Sequence, residues 1–415
     1  MESASSEANL NITDALTVAG FLVGAIGVPA ALMAWRGAAR KHTVESFVEV
    51  RERARREQAE MTQLAMKSTP PGWRSDPIPM LTLPGWIPPL PLEDVQLDWK
   101  GEMRSGDGLP SARYRAMRMM PRNQLGGHYL SYSDALTKLA GMAHLFNGKI
   151  YRPIGIKVNR DGFRIECTEG RYFDHLDTSE VLVYEMAARH GKSRTAALSG
   201  SYRSWLGNPF DLKLRGMSLG VITLTIRRDN GFSGFYMHQR DGDHVVVGPE
   251  TIHVVPAGEF TPADVSLESM KNDFDLWRTI MREYAEEFLD LPESYGRGGR
   301  PLDYENDHPF NMLNAAKNSG SLNLHILGIG LDPLTWKPEI LTACIIEGDT
   351  FDRIFAHMAR RTREGVILSG LNGKGLRFDA ETVELYVNNR NTRSSARACL
   401  QLAWRHRNYL GLGQA

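Results

Sequence analysis

The sequence predicts an α+β fold class: a C-terminal domain with a mixed sheet, preceded by an N-terminal α/β extension and a single transmembrane helix. Three observations lead there. An uncharged apolar run stands near the N-terminus, eight prolines crowd residues 69–91, and strand-like runs alternate with helical ones from residue 99 onward. A length of 415 residues exceeds one typical domain, so several units are expected.

Residues 1–14 form a tail expected outside the cytoplasm. It carries Glu2, Glu7 and Asp14 but no Lys or Arg. Residues 15–35 read ALTVAGFLVGAIGVPAALMAW without a charge, which is the ~20 residues that cross a ~30 Å hydrocarbon core. A cleaved leader would want a basic start and a shorter run. Arg36, Arg40 and Lys41 follow the run, and the positive-inside rule then places the C-terminal domain in the cytoplasm. The expected localisation is therefore the cell membrane, single-pass. Gly20 and Gly24 make a small-xxx-small face through which two copies could pair as a homo-oligomer.

Residues 36–68 read as a charged juxtamembrane helix. From residue 42 to 67 they lack Gly and Pro and interleave Arg51, Arg53, Arg55 and Arg56 with four glutamates. Residues 69–98 read as a Pro-rich linker, extended and semi-rigid. Trp73 and Trp86 within it suggest packing on the domain.

Residues 99–208 read as the α/β extension. Residues 131–146 and 178–190 have helical spacing, while 154–158 and 162–167 alternate as strands do. Gly191-Lys192-Ser193 is no phosphate loop, because Met186 stands where the loop's first glycine belongs. His238, His244 and His253 lie in strand-like sequence and read as structural. Cys167, Cys344 and Cys399 fit no zinc spacing and suit a reducing compartment. The net charge of zero gives no reason to expect a duplex nucleic acid as partner.

Residues 209–415 read as the second domain. Strand-like runs fill 216–260, and an acidic helix follows at 273–291. Trp277, Ile280, Met281, Tyr284 and Phe288 recur along it at steps of three and four and make an apolar face. Glu283, Glu286, Glu287 and Asp290 recur in the same way beside it, and like charges so spaced repel. A hard cation such as Mg2+ would relieve that repulsion. A merely solvated acidic face is the plainer alternative.

The string Arg282-Glu283-Tyr284-Ala285-Glu286-Glu287 resembles the core of the Nudix box, R-E-apolar-x-E-E. Pro256-Ala257-Gly258, after a strand, resembles the loop that opens the box. Two strand-like runs in 322–348 and a last helix near 392–410 continue as a Nudix-like α/β/α sandwich with mixed sheet would. Uncharacterised actinobacterial proteins that carry such a domain look similar over 99–208.

The resemblance implies Glu283, Glu286 and Glu287 as metal ligands for Mg2+ or Mn2+, one of them also a base. It implies Arg282 as the residue that holds the glutamates, and Gly258 as the tight loop of the cofactor-binding end. Glu347, at a strand end, is a further candidate ligand. The box is degenerate: Phe274 stands where it expects glutamate, Leu289 where it expects glycine, and Tyr284 where it expects an aliphatic residue.

The function so implied is a membrane-anchored, Mg-dependent Nudix-type hydrolase of a nucleoside diphosphate-linked substrate. The alternative is a nucleotide-sensing membrane effector, which binds a signalling nucleotide such as a cyclic oligonucleotide and acts through the transmembrane helix. That architecture resembles effectors of bacterial antiviral defence. A non-catalytic interaction protein is the third reading. The run Gly296-Arg297-Gly298-Gly299-Arg300 suits a surface loop or a basic flap near phosphates.

Overall fold

The computed structural model describes residues 43–102, 108–123, 126–159, 162–193, 197–240, 251–292, 301–363 and 365–413. The strands in chain order are β1 (Leu90–Pro91), β2 (Val95–Trp99), β3 (Lys149–Asn159), β4 (Gly162–Arg171), β5 (Gly220–Asp229), β6 (Phe232–Phe235), β7 (Met237–Arg240), β8 (Ile252–Val254), β9 (Ala257–Glu259), β10 (Leu322–Leu331), β11 (Pro338–Glu347), β12 (Gly365–Leu368) and β13 (Leu376–Arg377). Among the described residues they form a main sheet in the order β1-β10-β11-β5-β6-β13, with β9 also on β5, and two three-stranded sheets, β12-β7-β8 and β2-β4-β3.

The main sheet is mixed. Its centre, β5 beside β11, is parallel, and the pairings outward from it are antiparallel. A parallel pair is stable only when both faces are covered, so these strands read as nearly unbroken apolar runs. Successive side chains then go to opposite layers. Ile340, Cys344 and Ile346 of β11 join one core with Trp277, Ile280, Met281 and Tyr284. Leu341, Ala343 and Ile345 join the other with Ala396, Cys399, Leu400 and Ala403 of the helix Ser394–Arg405. The sheet is thus layered between the helix Leu276–Glu283 and the helix Ser394–Arg405.

The β2-β4-β3 sheet and its helices do not make a core of their own. Tyr151, Phe163 and Ile165 belong to the same buried cluster as the first face of the main sheet. The Pro-rich stretch is packed as well. Leu90 and Pro91 pair with Ile326 and His325, Leu81 bridges Leu331, and Trp86 is 4 % exposed with its ring edge-on to Phe210.

Helix formation at residues 43–56, and again at Gln58–Lys67, follows from the absence of Gly and Pro and, from Arg51 on, from a run rich in strong helix formers. This pair lies against the body. Phe47 is fully buried against Tyr132 and Tyr184, with ring centroids 6.1 and 5.2 Å away. Met61 is fully buried too, in a cluster with Met186 and Leu334. Glu57 meets His190 Nδ1 at 2.7 Å.

Among the described residues, no helix is long and apolar enough to cross a membrane. This corrects the expected fold class, which included a single transmembrane helix, and the single-pass membrane localisation drawn from it. What the described residues show instead is that the charged helix read as juxtamembrane is seated on the body by its own apolar residues. Residues 15–35, with the Gly20/Gly24 face, lie outside the described residues, as do His244 and residues 296–300.

Truncating the anchor of this docking should be costly. Phe47→Ala is expected to lower stability by about 3–5 kcal/mol, the usual cost of emptying a packed aromatic site. Denaturant unfolding checks it, and an unchanged midpoint would contradict the docking.

Candidate functional site

The site forms where β9 meets the acidic helix. Asp275 caps that helix, its side chain accepting from the Arg278 amide, and the helix runs from Leu276 to Glu283. It continues as one π-helical turn, Tyr284–Phe288. Such turns are frequent at functional sites. The turn carries Glu286 and Glu287, so the box falls on the irregular end of the helix.

Each box residue has a distinct place. Glu287 is 3 % exposed and accepts from the Ala257 amide at 3.1 Å; Arg240 and His238 lie 3.7 and 3.9 Å from its carboxylate. Gly258 abuts Glu283 so closely that a Cβ there would collide with the carboxylate. Glu283 and Glu286 both line a cavity of about 840 Å³. Arg282 is buried and donates to the Thr261 carbonyl at 2.5 Å. Burial pulls its pKa down, but Tyr304, Asp273, Glu283 and Glu286 outweigh burial and raise it.

Two departures from the box find their reasons here. The Tyr284 hydroxyl reaches Thr225 Oγ1 at 2.8 Å under the sheet, and Thr225 donates on to the Val255 carbonyl at 2.7 Å. A polar chain therefore replaces aliphatic packing. Beside Phe274, Asp273 is 1 % exposed; it accepts from the Ala263 amide and the Tyr304 hydroxyl at 2.7 and 2.9 Å. It supplies a buried negative charge one position before the one the box expects.

Glu347 does not join them. The register pairs Glu339 with Gly220 at the site end of the parallel pair and Glu347 with Arg228 at the other. Eight residues at ~3.3 Å each separate the ends by roughly 26 Å. Glu347 lies 3.7 Å from Arg228 with its side chain 55 % exposed.

The cavity brings in residues the sequence did not flag. Lys337 contacts Glu259 and lies 3.6 Å from Glu339. Burial pulls the Lys337 ammonium down, but the two carboxylates outweigh it and raise its pKa. Burial raises Glu339, only partly offset by Lys337. Glu259 goes the other way: against burial, the Lys337 and His175 charges hold it low. His175 Nε2 stands 3.4 Å from Glu180, and both line the cavity.

The turn before β11 positions Lys337. Asp332 Oδ1 accepts from the amides of Leu334 and Thr335, each at 2.9 Å, and the Trp336 amide closes back on the Asp332 carbonyl at 2.8 Å. Trp336 holds φ 58°, a left-handed conformation that side chains rarely adopt. Arg203 and Arg215 over its ring, at 4.7 and 5.2 Å, help hold it there.

Among the described residues, no group of three or more His, Cys, Asp or Glu is arranged to hold a metal ion. Two cavity carboxylates, Glu283 and Glu286, still fit Mg2+, which usually takes one or two carboxylates and fills its shell with water and substrate phosphates. No family model matches the chain, and no curated protein matches it. The Nudix resemblance therefore rests on these residues alone.

Two expectations follow. Gly258→Ala should push the Glu283 carboxylate aside at little cost in stability, because only the far end of a flexible side chain has to move; denaturant unfolding measures it, and a loss of several kcal/mol would contradict that reading of the contact. The second concerns pH. Burial, helped by the Arg240 charge, pulls His238 down to about 4, so the folded state keeps it neutral. The unfolded chain takes up that proton near pH ~6.5. Between about 6.5 and about 4 the unfolded state binds more protons, so stability falls with pH, by at most ~1.4 kcal/mol per unit for this group. His238→Gln should show a shallower loss of Tm on acidification; an identical loss would overturn the assignment.

Proposed function

We propose that the protein is a Nudix-type hydrolase of a nucleoside diphosphate-linked substrate, dependent on Mg2+ or Mn2+. The observation that carries this reading is one shared cavity. Glu283 and Glu286 line it together with Lys149, Lys337, Arg240 and Arg393. Carboxylates suit a hard cation, and the basic groups suit the phosphates that such a cation accompanies. A volume of about 840 Å³ is in the range of small-molecule sites, so a substrate of nucleotide size fits.

Glu283 and Glu286 would hold the ion, which when bound supplies charge neutralisation at the phosphates and a more acidic water. The other roles belong to the protein alone. Arg282 sets a buried positive charge near the two glutamates. Gly258 lets the β9 backbone lie against Glu283 without a side chain between them. Lys337 sets positive charge beside Glu259, while burial raises the pKa of the Glu339 carboxyl.

One observation favours a second reading, in which the cavity binds a signalling nucleotide such as a cyclic oligonucleotide without cleaving it. Glu287, a metal ligand in the box, is committed to the Ala257 amide.

The test incubates the protein with Mg2+ and a panel of dinucleotides, nucleotide sugars, nucleoside triphosphates and cyclic oligonucleotides. Cleavage and thermal shift are followed together. Cleavage that falls by about 10²-fold or more in Glu283→Gln and Glu286→Gln supports the hydrolase. Stabilisation without cleavage supports the binding protein. Cleavage untouched by either substitution would overturn the roles given to both glutamates.

A further inference from the structure

The helical segments 43–56 and Gln58–Lys67, which meet at Glu57, together present to the body one stripe that changes character along its length. Arg51, Ala54, Arg55 and Gln58 line the cavity. Their spacing, i, i+3, i+4 and i+7, is that of one helical face. The same stripe is apolar on either side of these positions, with Phe47 before them and Met61 and Ala65 after, all buried. A helix that only docks would carry apolar residues throughout this stripe. This pair is buried at both ends of the stripe, with two cavity-lining arginines between.

Arginine is the residue suited to that place. Its planar fork matches phosphate oxygens with paired hydrogen bonds. Arg51 reaches the hydroxyl of Tyr132, another cavity residue. Arg55 Nη1 is 3.0 Å from Glu52, while its Nε is buried without a hydrogen-bond acceptor among the described residues. Tyr172 and Tyr184 line the cavity as well and offer rings on which a flat base could stack.

We propose that Arg51 and Arg55 form an anion subsite, and that they bind a phosphate group of the same nucleotide that Glu283 and Glu286 engage in this cavity. The ligand is then held by residues from segments far apart in the chain. Its occupancy clamps the helix 43–56 to the body. This rests on the reading of the cavity as a nucleotide site; it adds the residues that recognise the ligand and the segment that responds to it.

The experiment uses the full chain, with ATP and ADP-ribose in the presence of Mg2+ as probes. Binding is measured by calorimetry for the unsubstituted protein, Glu283→Gln, Arg55→Ala, Arg55→Lys and the double change Arg51→Ala/Arg55→Ala. In parallel, trypsin cleavage after Arg53 and Arg56 is timed with and without nucleotide. Loss of a charged hydrogen bond should raise Kd about ten-fold or more in Arg55→Ala, with partial rescue in Arg55→Lys. Nucleotide should slow trypsin in the unsubstituted protein and not in the double variant. Arg55 is 32 % exposed at its side chain, so its truncation leaves the fold in place, and its unchanged Tm without nucleotide is the control.

Equal Kd for the unsubstituted protein and both alanine variants would overturn the subsite while leaving the nucleotide site standing. Binding of neither probe by the unsubstituted protein would remove the nucleotide reading, and the subsite with it.

Discussion

The amide of Ala257 donates to a carboxylate of Glu287, and the site depends on that bond. It ties the start of β9 to the π-helical end of the acidic helix at 3.1 Å. A buried carboxylate is costly unless it is paired and hydrogen-bonded, and Arg240 at 3.7 Å shares in compensating it. With the joint fixed there, the next residue must be small. Gly258 is, and the β9 backbone closes against Glu283. Glu283 and Glu286 are thereby left on the cavity side while Glu287 is spent on structure. Three glutamates close together in the sequence thus differ in place: Glu287 meets the Ala257 amide, and Glu283 and Glu286 line the cavity.

Much of the fold was legible because its signals are local. The strands Leu322–Leu331 and Pro338–Glu347 and the helix Ser394–Arg405 lie where the apolar periodicity puts them, since burial on one or two faces leaves a period in the sequence. The caps were only partly legible. Ser131 caps the helix Tyr132–Leu139, its hydroxyl accepting from the Asp134 amide, and nothing in the sequence sets it apart from Ser133 two residues on. The docking of residues 43–67 was not legible. A charged, helix-forming stretch gives no sign of whether it stands in solvent or docks, and the docking residues Phe47, Met61 and Ala65 are too sparse to make a plain stripe. The linker prolines fix an extended backbone but say nothing of the sheet edge on which Leu90 and Pro91 pair.

The site was half legible. The box string marks Glu283 and Glu286, and the turn marks Gly258. Glu347 was misplaced because a strand end has two sides of the molecule to choose from, and only the register with β5 tells which. Lys337 and Glu339 left a faint signal: two residues apart in a strand they share a face, and charges on one face of an otherwise buried strand need partners. Arg51 and Arg55 left none, since their approach to the cavity is set by tertiary packing over hundreds of residues of chain.

The central claim is that the cavity behind Gly258 is a nucleotide site with its cation on Glu283 and Glu286. Its most direct test is a crystal structure of the protein with Mn2+ and a non-hydrolysable nucleoside diphosphate analogue, read by anomalous scattering. The account predicts a manganese peak within about 2.0–2.6 Å of carboxylate oxygens of Glu283 or Glu286, with the analogue's phosphates beside it in the cavity. An analogue bound elsewhere on the molecule, or a cavity with neither manganese nor nucleotide at saturating concentration, would contradict it.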